Sequence, residues 1–216
     1  MNPQREQVLS RIRAALGRSD ADSAGLEAAR ARISQHARQI EPAFTESLAQ
    51  RFRDKLVTAY ATVVNVDSLS AAASEIERYL VDSGAGNRLL VSGDDLIQQI
   101  EWPASLELQQ RSATGEDRVS VTSALCGIAE TGTLMLVSGE QNPTSLNFLP
   151  DYHIVVLRSD LLVPRMEDAW DKLRAAFAQM PRTVNFISGP SKTADVEQTV
   201  EYGAHGPRCL HVVMVD

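Results

Sequence analysis

Thr62-Val-Val-Asn-Val66 and Arg88-Leu-Leu-Val91 bracket Ser68-Leu-Ser-Ala-Ala-Ala-Ser-Glu-Ile-Glu-Arg-Tyr-Leu80, and this stretch decides the fold. The flanking runs are short, apolar and rich in β-branched residues, as strands are. Between them Ala72, Ile76, Tyr79 and Leu80 recur at helical spacing. Ser68 or Ser70 can cap that helix, and Gly84 can stop it. A strand, a capped helix and a second strand predict a parallel sheet covered by helices.

The alternation continues outward. Asp94 opens a short helix through Ile100, and Leu106-Glu-Leu108, Val119-Ser-Val121, Thr133-Leu-Met-Leu-Val137 and Tyr152-His-Ile-Val-Val-Leu157 read as strands. Met166 through Phe177 reads as a helix ended by Pro181, and Val184–Ile187 and Leu210–Val215 complete the set. The expected class is α/β, with three layers and a mainly parallel sheet, over residues 61–216. Residues 1–60 read as an N-terminal helical arm. It has one helix from Val8 to Leu16 stopped by Gly17, a linker from Ser19 to Gly25, and helices over Leu26–Ile40 and Phe44–Leu56.

Composition narrows the function classes. The chain has 216 residues, 44% hydrophobic and 23% charged, with a formal net charge of -7. An acidic chain without a dense Lys/Arg stripe argues against a nucleic-acid partner, and Arg5, Arg11, Arg13 and Arg18 fit a solvated helix face. No apolar run is long enough to span a bilayer and the N-terminus has no signal core, so no membrane insertion is expected and the expected compartment is the cytoplasm. Cys126 and Cys209 have no Cys-x-x-Cys spacing, and no His/Cys/Asp/Glu set has metal spacing.

Three polar segments carry the candidate chemistry. In Gly189-Pro-Ser-Lys-Thr-Ala-Asp195, Ser191 or Thr193 can cap a helix running to Val200, with Asp195 in its first turn and Lys192 beside free N–H groups. Such a helix start binds anions; the same residues also serve as a tight βα turn with a solvated lysine. In Gly203-Ala-His-Gly-Pro-Arg208, the glycines leave His205 open to a ligand as base or acceptor, and Arg208 can clamp a carboxylate or phosphate. A polar turn with a structural histidine is the alternative. In Gly127-Ile-Ala-Glu-Thr-Gly-Thr133, Glu130 is a candidate base or nucleophile, Gly132 permits a sharp bend, and Thr131 and Thr133 supply hydroxyls. Glu130 serves equally as a charged turn residue. The loop from Asn142 to Pro150 contributes Ser145 and Asn147, with His153 just beyond, as possible pocket residues; His211 and His36 read as structural.

Ala129-Glu-Thr-Gly-Thr133, Leu149-Pro-Asp-Tyr-His-Ile154, Ser188-Gly-Pro-Ser-Lys-Thr-Ala-Asp-Val-Glu197 and Gly203-Ala-His-Gly-Pro-Arg208, in this order, resemble the lactate-utilisation (LUD) domain family. The resemblance implies a fold similar to ribose-5-phosphate isomerase, glucosamine-6-phosphate deaminase and the CoA transferases. It also implies a subunit of a system that oxidises L-lactate to pyruvate beside partner proteins carrying iron–sulfur clusters. Larger family members add a cysteine-rich ferredoxin-like segment that is absent here, so no cofactor is expected on this chain itself. On this reading Glu130 and His205 are catalytic. A small carboxylate or other anion is held by Thr131, Gly132, Thr133, Gly189, Ser191, Lys192, Thr193, Asp195 and Arg208. A non-catalytic assembly or regulatory subunit ranks second, and a stand-alone CoA-transferase-like or isomerase-like enzyme third.

Overall fold

The computed structural model describes residues 3–17, 23–35, 43–193 and 201–216. The chain forms two compact units, Met1–Phe44 and Thr45–Asp216. The first holds α1 (Pro3–Ala15) and α2 (Ser23–Gln35). Gly17, at φ +62°, follows α1 as the expected stop. Ser23, Ala24 and Gly25, placed by composition in a linker, open α2 instead. Residues 36–40 of the expected second helix lie outside the described residues.

The second unit begins with α3 (Leu48–Thr58), capped by Ser47, whose Oγ accepts from the Gln50 N–H at 3.2 Å. Sequence put this helix in the arm, with the boundary at residue 60. The structure puts it in the body because Phe52 and Leu56 are fully buried there. Next come β1 (Thr62–Val66), α4 (Leu69–Ser83), β2 (Arg88–Val91), α5 (Asp95–Gln98), β3 (Glu107–Gln109) and β4 (Val119–Ser123). They are followed by β5 (Cys126–Ile128), β6 (Thr133–Val137), β7 (Tyr152–Arg158), β8 (Leu162–Val163), α6 (Met166–Ala176) and β9 (Val184–Ile187). The last elements are β10 (Lys192–Thr193), β11 (Glu201–Tyr202) and β12 (Cys209–Val215).

Six strands form a wholly parallel sheet in the order β1-β12-β7-β4-β2-β3. The α4 caps match their sequence signals: Ser68 Oγ accepts from the Ala71 N–H at 3.1 Å, and Gly84 adopts φ +63°. Successive residues of the central strands face opposite ways, which explains their continuous apolar runs. Ile154, Val156, Val213 and Val215 pack on Ala72, Ile76 and Leu80 of α4. Val155, Leu157, Val212 and Met214 pack the other way, on Phe52 and Leu56 of α3 and on Leu134 and Leu136 of β6.

Strand β6 therefore does not join the parallel sheet. It belongs to a second, four-stranded sheet in the order β8-β5-β6-β9, with β5–β6 and β6–β9 antiparallel. One face of this sheet covers the parallel one, and α6 closes the other by packing Ala169 and Leu173 on Cys126, Ile128 and Met135. No helix among the described residues is long and apolar enough to cross a membrane.

Candidate functional site

A cavity of about 220 Å³ opens where the two sheets meet. Its walls come from the end of β9 and the residues after it (Phe186, Ile187, Ser188, Gly189 and Ser191), and from His205, Gly206, Pro207 and Leu210 at the entry to β12. Asn147 and Phe148 from the loop before β7 line it too, as does His153, the second residue of β7. It is thus built at the amino-terminal ends of β7 and β12.

The two glycine-punctuated segments meet through their backbones. The Ser191 N–H donates to Pro207 O at 2.8 Å, the Gly203 N–H donates to Ser191 O at 2.9 Å, and the His205 N–H donates to Ser191 Oγ at 3.3 Å. Lys192 and Thr193 pair with Tyr202 and Glu201 as the antiparallel β10–β11 ladder. This overturns a helix start at Ser191, because the two residues after it serve a ladder; a helix capped by Thr193 would begin beyond the described residues. Asp195 and the remainder of that expected helix lie outside the described residues. Gly189 is required where it stands, because it has φ +138° and a Cβ on it would lie 2.6 Å from Ala59 O.

Of the residues singled out by sequence, Asn147, His153, Gly189, Ser191 and His205 line the cavity. Lys192 does not; its Nζ sits 4.8 Å from the centroid of the Tyr60 ring, which in turn meets Tyr202 edge-on at 5.9 Å. Thr193 is spent on the β10–β11 ladder. Arg208 is exposed and outside the lining, with its stem packed beside Gly203.

The turn Ala129–Gly132 closes the β5–β6 hairpin, with the Glu130 N–H donating to Pro164 O at 3.0 Å. Glu130 is half-buried and outside the lining. Gly132 takes φ +64°, and a Cβ there would fall 2.5 Å from Lys55 Cβ and 2.7 Å from Leu56 N, so it makes room for α3. The turn reaches the cavity by another route. Thr131 Oγ1 and Thr133 Oγ1 lie 2.6 Å apart, and Thr133 Oγ1 lies 2.6 Å from Ser188 Oγ. A chain of three hydroxyls, and not the carboxylate, thus links this turn to the cavity wall. Ser188 was read only as the start of a family motif and not as a site residue, although its place directly after a strand end was a usable signal.

His153 is 1% exposed, and its Nε2 lies 2.8 Å from Thr122 Oγ1. Its Nδ1 is buried without a partner among the described residues. Burial pushes its pKa down to about 3, so the ring is neutral near neutral pH. Asn147 is 5% exposed. Ser145, by contrast, faces elsewhere and accepts from the Ala113 N–H at 2.9 Å. His211 lies on the opposite face of the parallel sheet, stacked on Tyr79 at 4.0 Å with Nδ1 2.7 Å from Thr62 Oγ1, a structural placement. Among the described residues no group of three or more His, Cys, Asp or Glu converges on a metal-sized site. Burial raises the Cys126 thiol to about 11 and also raises that of Cys209.

Comparison with known proteins places this geometry in a family. An uncharacterised protein of Neisseria meningitidis is 40% identical over 122 residues, 56% of this chain and 52% of that protein. Lactate utilization protein C of Halalkalibacterium halodurans is 38% identical over 102 residues, 45% of this chain and 44% of that protein. The chain thus spans about half the length of these curated relatives. The crystal structure of a DUF162 family protein from Deinococcus radiodurans shares the fold, with a TM-score of 0.61 at 20% identity, covering 81% of this chain and 100% of that one. The LUD domain profile matches residues 49–215, nearly the whole second unit, and the chain therefore belongs to the LUD domain family.

Proposed function

We propose that this chain acts in lactate utilisation, as a subunit that binds a small carboxylate in the cavity between its two sheets and works beside iron–sulfur partner proteins. The setting is supported by relatives named lactate utilization protein C. The ligand reading is carried by the cavity itself, whose volume of about 220 Å³ suits about seven waters or one small organic acid. The hydroxyls of Ser188 and Ser191 offer neutral donors to a carboxylate. His205 is exposed at the rim, where its ring can meet the ligand. Phe148, Phe186 and Leu210 would cover the carbon skeleton. Redox cofactors belong on the partners in this reading, because two cysteines cannot supply the four thiolates a cluster usually takes.

Among the described residues the lining holds no carboxylate and Glu130 stands outside it, which weighs against a covalent Glu130 mechanism of the CoA-transferase type. The same observation favours, as second reading, a ligand-sensing assembly subunit that does no chemistry. An anaerobic pull-down assayed for lactate-dependent dye reduction tests the proposal: activity should require this chain. Undiminished reduction in its absence would sink it. Retained activity in both Glu130→Gln and His205→Ala, with loss on deletion, would select the second reading.

A further inference from the structure

Two largely buried polar side chains of the cavity keep hydrogen-bonding capacity to spare. Asn147 is 5% exposed and its carboxamide makes no hydrogen bond among the described residues. His153 is 1% exposed, and Thr122 satisfies only one of its two ring nitrogens. Buried polar groups are nearly always hydrogen-bonded, so the bare His153 Nδ1, with the Asn147 carboxamide on the same lining, marks a place for a ligand's polar atom.

The chemistry of the pair narrows what that atom is. A charged ring would draw the carboxylate, but this ring is neutral, since burial holds its pKa near 3. Thr122 Oγ1 and His153 Nε2 share one hydrogen bond, and either can be its donor. Nδ1 is then an N–H in one tautomer and a lone pair in the other. A ligand hydroxyl both donates and accepts, so it satisfies either tautomer. A carboxamide also offers both functions, so Asn147 can complete the same hydroxyl's bonding. The serines and His205 remain for the acidic end.

We infer that Asn147 and His153 are the residues that read the uncharged hydroxyl of a small hydroxy-carboxylate bound in this cavity. The inference rests on the proposal that the cavity binds a carboxylate. Thr122 is a positioning residue that holds the ring.

Calorimetry on the purified full chain with L-lactate and propionate, acids that differ by one hydroxyl, tests it. The wild type should bind L-lactate at least about tenfold more tightly than propionate, since a site built for a hydroxyl rejects the analogue that lacks it. Asn147→Leu and His153→Leu should each abolish that preference. Ring 15N spectra of the wild type give a readout that needs no substitution: L-lactate should move the Nδ1 resonance of His153 and propionate should not. Equal affinity for the two acids, a preference that survives both substitutions, or an unmoved Nδ1 overturns the inference and leaves the carboxylate cavity standing. No binding of either acid by the wild type overturns both.

Discussion

Gly132 carries two demands at once: a left-handed turn at φ +64° and a face on which the α3 backbone lies too close for any side chain. A methyl group there would add strain to a collision with Lys55 Cβ and Leu56 N, both under 3 Å. Gly132→Ala is therefore expected to cost about 2–3 kcal/mol, read as a lower urea midpoint at unchanged slope. A loss under about 0.5 kcal/mol would show that α3 can move aside. From the sequence, Gly132 was legible as a turn residue, but its neighbour was not. Lys55 and Leu56 are far away along the chain, and only folding brings them to the turn. Lys192 teaches the same lesson, since its type suits an anion while the ring of Tyr60 takes its charge.

Element by element, helix α3 does more than its arm-like sequence suggested. Its Phe52 and Leu56 fill the space between the parallel sheet and β6. Truncating a fully buried phenylalanine removes its transfer free energy and leaves a cavity. Phe52→Ala is expected to destabilise by about 3–5 kcal/mol in equilibrium denaturation. A helix that merely rested on the surface would lose less than about 1 kcal/mol. Helix α4 was legible to its caps, because Ser68, Gly84 and the spacing between them are local signals. The β10 segment was not, because Ser191–Thr193 carries good helix-start residues. What overrides them is hydrogen bonding to residues 201–207, which no local pattern announces.

Across the whole molecule, His153 and His211 are held neutral on opposite faces of the parallel sheet. Burial lowers them from 6.5 to about 3 and about 4, with Glu75 partly opposing the shift at His211. The unfolded chain takes up a proton at each below pH 6.5, whereas the native state does not. Stability is therefore full above that pH and falls as pH falls, until about 4 for His211 and about 3 for His153. Between pH 7 and 5 the loss is about 2 kcal/mol for each ring. Urea midpoints at pH 7 and pH 5 read it directly, and His211→Gln should make the decline shallower. An unchanged midpoint at pH 5 would mean the native rings charge freely. At this scale the sequence by itself determined a parallel α/β body, its order of strands and helices, and four motifs of one family. Those features rest on periodicity, caps and turns within a few residues. Only the tertiary structure decided that β6 and β9 leave for a second sheet and that α3 belongs to the core. It also decided that the cavity gathers Ser188, Ser191, His153 and His205 while Glu130, Lys192 and Arg208 stay off its walls. Strand partners and side-chain neighbours come from distant parts of the chain, and the long-range hydrogen bonds and packing that choose among them exist only once the chain has folded.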